Sequence, residues 1–577
     1  MLTSFNHKFI VVCTFISVIL STNRAQNVNF NSLPAHLQLF ARDADDSAYV
    51  RIAGTVTDNG YDSVSVKIYR NNRSWKQLSQ ELDYSNNEAQ FEFTPKIATG
   101  LYEYRFEILV DQNLVAVRDS IVCGDVYLIN GQSNSHPNAV SYSFSNEFCR
   151  SFGQHTNYED YDPADTTWGL STPEGWCDSC DYAVGVWGMR LQQMILEDYG
   201  IPTCVINGGS GGSSISYNLP NEEDRMDLTT TYGRLLYRAT KAKVADKVKA
   251  LFWHQGEADT DNDNTDLYYD RFNRLYTAWN EDYSPLDVVY VFQLHPGYCG
   301  GDSQHRLRDI QRRFPESFAR VKVMATVGLV GHDGCHYNDD GYLQMAEWVY
   351  GLVKRDFYAD TDTLYVAPPN VSDAWFTDAD QRQVAVQFDQ PVIWPEDTLG
   401  ASMENYFYLD GSSSNIADGY SDSDPHVIIL DLINSSTASK LTYLPNHAYN
   451  NLPTKIYEGP WIRNQRGIGA LSFYEFPLRG FVSGIEKQIP QKFELKQNYP
   501  NPFNPATTIY YQIPSAAKVE LTVYNILGQK VKTLVNREQM PGLYHVKFAA
   551  GDLPGGIYFY RIKAKNKLIV KKALLLK

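Results

Sequence analysis

Residues 122–134 read Val-Cys-Gly-Asp-Val-Tyr-Leu-Ile-Asn-Gly-Gln-Ser-Asn, a mainly apolar run that passes at once into small and polar residues. The first part, residues 122–129, has the length of a strand and lacks the strict alternation of a half-exposed one, which is typical of a strand buried on both faces. Runs of the same kind follow at residues 203–206, 250–253, 288–294 and 321–327. Together they predict five buried strands of one sheet.

Longer amphipathic segments lie between or after these runs, and their apolar residues recur with helical spacing. They cover residues 183–199, 232–248, 267–280, 306–318 and 342–357. Regular alternation of strand and helix predicts a doubly wound α/β core over residues 121–362, with a parallel sheet covered by helices on both faces. Ligands of such sheets bind at the carboxyl ends of the strands. The residues that follow each run are therefore the first candidates for a site.

The segments on either side of this core alternate apolar and polar residues over short stretches. Residues 36–120 and 363–482 are therefore predicted to form β-sandwich domains, the second of them Ig-like. Residues 491–577 again contain strand-length runs separated by Pro and Gly, after a polar linker around residues 483–490. We expect four folded regions, of which only the second is α/β.

The first 25 residues have the layout of a secretory signal peptide. Lys8 precedes an apolar run at residues 9–20, and small and polar residues extend to Ala25. That run is short for a membrane span, and no later segment has 18 consecutive apolar residues. We therefore expect a secreted chain with no membrane span after cleavage.

Charge separates the C-terminal segment from the rest. The formal net charge is −16, yet residues 487–577 contain 15 Lys or Arg against 4 Asp or Glu, a net +11, so the remainder carries −27. An acidic chain without clustered cations argues against a nucleic-acid partner, because phosphate binding depends on such clusters. The basic segment is predicted to be a separate module with a different partner.

Eight cysteines are present, of which Cys13 lies in the predicted signal peptide. Seven in the mature chain is an odd number, so at least one thiol is expected to be free. Cys177 and Cys180 form a single CxxC motif, for which a local disulfide or two unpaired thiols are favoured over a zinc site. Cys299 follows the run at residues 288–294, and Cys335 follows the run at residues 321–327. Both are predicted to lie on loops near the carboxyl ends of the strands. We hypothesise that they form a disulfide that rigidifies the loop that contains Cys335.

Small and polar residues follow four of the predicted strands. Asn130-Gly-Gln-Ser-Asn134 comes after the first, residues 207–214 after the second, residues 253–257 after the third, and Asp333-Gly-Cys-His336 after the last. An acyl-transfer enzyme needs a nucleophile, a base, a group that orients the base, and donors for an oxyanion. These blocks contain all four, with Ser133 as the nucleophile candidate and the Asp333/His336 pair as the base and its partner.

Other roles for residues of these blocks are open. Glu257 is interpreted as a carboxylate that fixes the turn at Gly256, in preference to a direct catalytic role. A zinc set of His254, His332, Asp333 and His336 is a further alternative, although its spacing matches no dedicated motif. We expect no metal.

The four blocks resemble those of the SGNH hydrolases, in the sialate O-acetylesterase and acetylxylan esterase branch. The GQSN motif stands at residues 131–134, the Gly-rich block at 211–215, the tryptophan-x-QGE block at 253–257, and the Asp-His block at 333–336. The resemblance spans residues 121–357 and implies an SGNH core of flavodoxin-like topology. It departs from the branch at Ser135-His136 and Ser213-Ser214, and these positions bear on acyl-group and sugar specificity.

Residue by residue, the resemblance implies that Ser133 is the nucleophile, His336 the base and Asp333 its orienting acid. The Ser133 N–H, the Gly212 N–H and the Gln255 side chain would form the oxyanion hole. No cofactor is implied.

The C-terminal segment resembles the sorting domain of the type IX secretion system. The similarity rests on Asn498-Tyr-Pro-Asn-Pro-Phe-Asn-Pro505, on residues 523–529 and 555–558, and on the Lys-rich end. It implies that the type IX machinery is a partner and that the protein is secreted or held at the cell surface.

These features predict a serine carboxylic-ester hydrolase that removes acetyl groups from an oligosaccharide or polysaccharide. The sugar is left open by the sequence. A catalytically inactive carbohydrate-binding or adhesin protein on the same scaffold is the alternative from another class, and a lipase-like esterase is the alternative within enzymes.

Overall fold

The computed structural model describes residues 27–137, 142–156, 161–173, 179–284, 286–297, 299–398, 401–444, 457, 459–481, 492–498, 501–539, 541–551 and 553–576. The chain divides into two compact units, Met1–Gly480 and Phe481–Lys577. The predicted signal peptide at residues 1–25 and the predicted linker at residues 483–490 lie outside the described residues.

The N-terminal part of the first unit is built from short strands, as the alternating pattern predicts. They are β1 Val28–Ser32, β2 Leu39–Ala41, β3 Ser47–Tyr49, β4 Ile52–Val56, β5 Ser63–Arg70, β6 Arg73–Glu81, β7 Ala89–Phe93, β8 Lys96–Ala98 and β9 Tyr104–Val110. Strands β1, β4 and β7 form one sheet, while β6, β5 and β9 follow one another in a second. Their inward residues, such as Val66, Ile68 and Phe106, form a separate apolar core.

One long strand, β10 (Asn113–Gly131), continues from this β-region into the α/β core. Its first part pairs with β9 and β2, and from Asp125 onward it lies between two strands of the core sheet. The pairing with β9 shifts register between Arg118 and Ile121, and Ser120 has a φ of 57°. The sequence pattern changes at residue 120 because the surroundings of the strand change there, while the strand itself continues.

The core is a mixed α/β structure around this strand. The remaining core strands are β11 Cys149–Phe152, β12 Gln154–Thr156, β13 Trp168–Leu170, β14 Ser179–Asp181, β15 Thr203–Asn207, β16 Val248–His254, β17 Val288–Phe292 and β18 Val321–Met324. The main path of the sheet runs β13-β11-β15-β10-β16-β17-β18, and all neighbours from β11 to β18 are parallel. The five predicted strands are all present, and their carboxyl ends lie at one edge.

Among the described residues, five α-helices cover the sheet: α1 Val186–Tyr199, α2 Thr231–Lys241, α3 Asn262–Asp282, α4 Gln304–Ser317 and α5 Asp339–Phe357. Thr230, Asp261 and Asn338 each accept a backbone N–H in the first turn of α2, α3 and α5, which fixes where these helices begin. Helix α2 ends earlier than predicted because Lys243 adopts a left-handed φ of 62°. In the described part of the chain, no helix is both long and apolar enough to cross a membrane.

The two faces of the sheet bury two different apolar cores, and β10 contributes to both. Val126 and Leu128 pack with residues of α2, α3 and α4, whereas Tyr127 and Ile129 pack with residues of α1 and α5. Successive side chains of a strand point to opposite faces, so a strand with helices on both sides is apolar throughout. This explains why the run at residues 122–129 does not alternate.

The rest of the first unit consists of strands and short 3-10 turns. The strands are β19 Val371–Phe376, β20 Gln383–Phe388, β21 Phe407–Leu409, β22 Ile416–Ser421, β23 Val427–Leu432, β24 Lys440–Tyr443 and β25 Phe473–Pro477. They form two antiparallel sheets, β19-β20-β23-β22 and β21-β24-β25. The 3-10 turns of this unit that the structure describes include Ser216–Asn218, Ala245–Lys247, Glu257–Asp259 and Met403–Tyr406.

The second unit is also formed by two antiparallel sheets around an apolar core of its own. Its strands are β26 Glu494–Leu495, β27 Ala506–Ile513, β28 Ala517–Tyr524, β29 Lys530–Gln539, β30 Gly542–Ala549, β31 Gly556–Ala564 and β32 Lys567–Leu575. The sheet orders are β26-β27-β30 and β29-β28-β31-β32.

Candidate active site

Ser133 lies in a tight turn directly after β10. The backbone N–H groups of Ser135 and His136 both donate to the Gln132 carbonyl, at 2.8 and 2.9 Å, so the chain folds back around Ser133. Gly131 has a φ of 137°, and a Cβ there would lie 2.1 Å from the His254 carbonyl oxygen, so only glycine fits. The turn holds a half-buried serine at the carboxyl edge of the sheet.

The Gln132 side chain attaches this turn to the loop after β16. Its Oε1 accepts hydrogen bonds from Gln255 Nε2 and Gly256 N, both at 3.1 Å, and from Ala258 N at 3.3 Å. One buried oxygen therefore fixes the first and third sequence blocks to each other.

The Gly-rich block packs beside the same turn. Gly208 N donates to the Ile129 carbonyl at 2.8 Å, and Ser210 N donates to the Gly131 carbonyl at 3.0 Å. Gly212 is exposed with a φ of 68°, and a Cβ on it would meet no described atom within 4 Å. The space that a side chain would occupy at Gly212 is thus open, which leaves room for the close approach of a substrate.

Gln255 is fully buried, and its amide is directed inward. Nε2 donates to Gln132 Oε1 at 3.1 Å, to the Ser213 carbonyl at 3.2 Å and to Asp259 Oδ2 at 2.5 Å. An amide nitrogen carries only two hydrogens, so these three acceptors already use its full donor capacity. In this structure Gln255 ties three blocks together, and its expected donor position toward an oxyanion is taken by protein acceptors.

Asp333 and His336 lie on one tight loop between β18 and α5. Asp333 Oδ1 accepts the backbone N–H of Cys335 at 2.8 Å and that of His336 at 2.7 Å, while Asp333 N donates to the His336 carbonyl at 2.8 Å. Burial raises the pKa of Asp333, but these hydrogen bonds and the nearby imidazoles of His336 and His332 outweigh it and hold that pKa below its usual value. The carboxylate is therefore ionised at neutral pH, as an orienting acid must be.

A disulfide between Cys299 and Cys335 fixes this loop, which confirms the predicted pairing. Cys299 N also donates to the Gly334 carbonyl at 3.1 Å, so backbone and side chain hold the same two segments. Cys123, Cys149 and Cys204 are buried free thiols, in agreement with the odd cysteine count. Cys180 is disulfide-bonded, and Cys177 lies outside the described residues.

Asn134 connects the serine turn to the Asp333–His336 loop. Its Nδ2 donates to the Cys335 carbonyl at 3.0 Å and to Glu257 Oε1 at 2.9 Å. The residue after Ser133 is thus bonded to the residue before His336. Sequence reasoning included Asn134 only as a letter of the GQSN motif, and its place beside the serine in that motif was the available signal.

Glu257 and His254 form a buried acid and base behind the turn. Burial raises the pKa of Glu257 to about 7 and lowers the pKa of His254 to about 3. Glu257 Oε1 lies 3.8 Å from His254 Nδ1, and neither ring nitrogen of His254 has a hydrogen-bond partner among the described residues. Glu257 accepts a hydrogen bond from Asn134, whereas Gly256 N donates to Gln132 Oε1, so the predicted role of Glu257 in fixing the Gly256 turn stays a prediction.

Two further histidines lie under the Asp333–His336 loop. The rings of His295 and His332 stack with centroids 4.0 Å apart, and Gly334 N donates to His332 Nδ1 at 3.1 Å. Burial lowers the pKa of His332 to about 4, so the ring is neutral near pH 7. Within the described residues, no three His, Cys, Asp or Glu side chains are grouped so as to hold a metal ion.

The positions that depart from the esterase motifs are mostly buried. Ser135 Oγ donates to the Asn130 carbonyl at 2.8 Å, and the ring of His136 packs edge-on against His155 at 4.7 Å. Ser213 Oγ donates to the Gly131 carbonyl at 3.4 Å, whereas Ser214 is half-buried. Of these four, only Ser214 has substantial exposure, so the other three act on the shape of the turns.

Comparison with known proteins finds a matching family model for each of two segments of the chain. Residues 123–350 match the family described as carbohydrate esterase, sialic acid-specific acetylesterase, and residues 497–576 match the secretion system C-terminal sorting domain. No curated protein matches this chain.

One solved structure shows a related fold, and a second has a weaker likeness. A carbohydrate acetylesterase from Xanthomonas citri is similar at 14% sequence identity with a TM-score of 0.53, over 77% of this chain and 99% of that chain. A protein from Arabidopsis thaliana is similar at 18% identity with a TM-score of 0.33, over 41% of this chain and 99% of that chain. Residues 123–350 thus match the sialic acid-specific acetylesterase family of carbohydrate esterases, and the sorting domain at residues 497–576 indicates type IX secretion to the cell surface or the extracellular space.

Proposed function

We propose that this protein is a secreted carbohydrate O-acetylesterase that works through Ser133, His336 and Asp333 on an SGNH-type core. The observation that carries the proposal is the 3.0 Å hydrogen bond from Asn134 Nδ2 to the Cys335 carbonyl, because it ties together the neighbours of the nucleophile and the base. The parallel strand order β15-β10-β16-β17-β18 supports the doubly wound topology of such a core.

In the proposed reaction, Ser133 Oγ attacks the acetyl carbonyl carbon while His336 takes the hydroxyl proton. The tetrahedral intermediate collapses, the C–O bond to the sugar breaks, and His336 returns the proton to the sugar oxygen. Water then attacks the acetyl-serine with His336 as base, and acetate leaves. The ionised Asp333 stabilises the imidazolium that forms in each half-reaction.

Backbone N–H groups of Ser133 and Gly212 are the proposed donors to the oxyanion. Gly212 is exposed and has open space where a side chain would stand, which leaves room for a substrate to approach its backbone. Gln255 is proposed as the third donor. Since its Nε2 now donates to three protein acceptors, this role requires one of them to be exchanged for the substrate oxygen in the reacting complex.

The remaining modules are proposed to deliver and present this core. Residues 1–25 act as a signal peptide, residues 36–120 and the Ig-like 363–482 as accessory β-domains, and residues 491–577 as the sorting domain around the catalytic domain 121–362. Secretion and the esterase family favour an acetylated oligosaccharide or polysaccharide outside the cell as the substrate.

Acetate release across a panel of acetylated glycans tests the function directly. The panel includes acetylated sialic acids, xylan, xyloglucan and pectin, with long-chain esters as a comparison. Release from one or more glycans, absent in Ser133→Ala, supports the proposal. Preference for long-chain esters would indicate a lipase-like enzyme, and glycan binding without any hydrolysis would indicate an inactive binding protein.

A further inference from the structure

We infer that Asn134 is a positioning residue that holds the Ser133 turn and the Asp333–His336 loop in reacting geometry. The inference rests on the proposed function, since it concerns how those residues are brought together. Asn134 is 1% exposed, so its side chain does not touch solvent or line the open part of the site.

Every polar group of the Asn134 side chain is engaged by a different segment. The two Nδ2 hydrogens go to Glu257 Oε1 and the Cys335 carbonyl, and Oδ1 accepts from the Tyr342 hydroxyl at 3.0 Å. Its backbone carbonyl accepts from Trp187 Nε1 at 3.2 Å. Asn134 therefore connects the loop after β16, the loop after β18, and helices α1 and α5 to the residue next to the nucleophile.

The chemistry of these contacts is specific for an amide. Both Glu257 Oε1 and the Cys335 carbonyl are acceptors, so they require the two donors of an NH₂ group, whereas Tyr342 requires an acceptor. Aspartate has the same shape but no donor, and it would place a carboxylate against two oxygen atoms. Substitution of Asn134 by aspartate thus keeps the side-chain volume but replaces two hydrogen bonds with contacts between acceptor oxygens.

Cys335 is held from two sides by this arrangement. Asn134 binds its carbonyl oxygen, and the disulfide binds its sulfur to Cys299. A loop fixed at both points has little freedom to move His336 relative to Ser133. Displacement of a reacting group by about 1 Å can cost about 10²-fold in rate. The loss of either attachment should therefore lower the reaction rate.

The test compares Asn134→Asp with a matched control, Asn464→Asp. Asn464 is also 1% exposed, and its Nδ2 donates to the carbonyls of Tyr365 and Ala367 away from the proposed site. Both variants are measured by thermal unfolding and by steady-state hydrolysis of a chromogenic acetate ester. Both should lose stability, but only Asn134→Asp should lower kcat, by about 10²-fold with KM changed less than about 3-fold.

A near-normal kcat for folded Asn134→Asp, or an equal loss of kcat in both variants, would overturn the inference. If Asn134→Asp does not fold, Tyr342→Phe decides, because it removes only the hydroxyl that orients the amide. It should lower kcat by about 3- to 10-fold, and an unchanged kcat contradicts the positioning role. Full activity of Ser133→Ala in the same assay would instead refute the proposed function.

Discussion

Cys335 is bonded through its sulfur to Cys299 and lies immediately before His336 in the chain. The disulfide therefore attaches the loop with the proposed base to the loop after β17, which has no catalytic residue of its own in the proposal. Gly297 packs against the same loop, since a Cβ on it would lie 2.4 Å from the Gly334 carbonyl oxygen. The position of the loop that carries His336 therefore depends on a disulfide between Cys335 and a residue 36 positions earlier in the chain.

Cys299→Ser should therefore weaken both stability and turnover. Closing a loop of this length stabilises a protein by about 4 kcal/mol in the chain-entropy description, and the freed loop should lower kcat by about 10-fold. Differential scanning calorimetry and ester hydrolysis with and without a reductant measure the two effects. The wild-type protein should lose activity on reduction, while Cys299→Ser should respond much less, since it retains the disulfide of Cys180 but not the one beside the proposed base. Equal kcat in oxidised and fully reduced wild type would contradict this prediction.

Ser133→Ala and His336→Ala should each reduce acetyl-ester turnover by about 10⁴-fold or more. Each change removes one member of a unit whose parts act together, so the double variant should be little worse than either single one. Folding is checked by the unfolding temperature, which should remain near that of the wild type because both side chains are only half-buried. Well-folded Ser133→Ala with near-normal acetate release would refute the assignment of the nucleophile.

Gln255→Ala should lower kcat by about 10²-fold or more, with a smaller change in KM, if the side chain stabilises the oxyanion. The structure adds a second effect, because the acceptors on Gln132, Ser213 and Asp259 all lose a buried donor. Each lost hydrogen bond to a buried acceptor costs about 0.5–1.5 kcal/mol, so the unfolding temperature should also fall. A loss of stability with an unchanged kcat would show that Gln255 has a structural role and does not stabilise the oxyanion.

The strands and helices of the core could be predicted from the sequence because their signal is local. Residues 122–129 are apolar on both faces, and that single fact required helices on two sides. The end of α2 was wrong because it depends on the left-handed backbone of Lys243, a residue type with no strong preference for that conformation.

The site was less accessible to sequence reasoning, because it depends on which way side chains point. Ser133, Asp333 and His336 could be selected by residue type and position at strand ends. The inward direction of the Gln255 amide could not, since it is set by acceptors from residues 132, 213 and 259, which only the folded sheet brings together. The contacts of Asn134 escaped prediction for the same reason.

Glu257→Gln should change how stability depends on pH. Burial raises the pKa of Glu257 from 4.5 to about 7, so the folded state binds this proton more tightly than the unfolded state does. The wild type should therefore lose about 3 kcal/mol of unfolding free energy relative to Glu257→Gln as the pH rises from about 4 to about 8. Glutamine keeps an oxygen for Asn134 and cannot ionise. Urea unfolding of both proteins across this range measures the difference, and parallel curves would show that Glu257 is already ionised at pH 5.

Removal of the sorting domain should leave catalysis unchanged. The proposed catalytic residues lie between Ser133 and His336, all within the unit Met1–Gly480, and the second unit has its own apolar core. The charge also changes sign between the two, with a net +11 after Lys487. A chain ending at Gly480 should therefore keep kcat/KM for acetyl esters within about 2-fold in purified form, because no group that acts in the reaction is lost.

In the native host the truncated chain should accumulate in the periplasm, while the full chain reaches the surface or the medium. Fractionation and activity assays on both chains measure this. A large loss of activity in a folded truncated protein would show that the domain contributes to catalysis. Normal export without the domain would refute its role as the secretion signal.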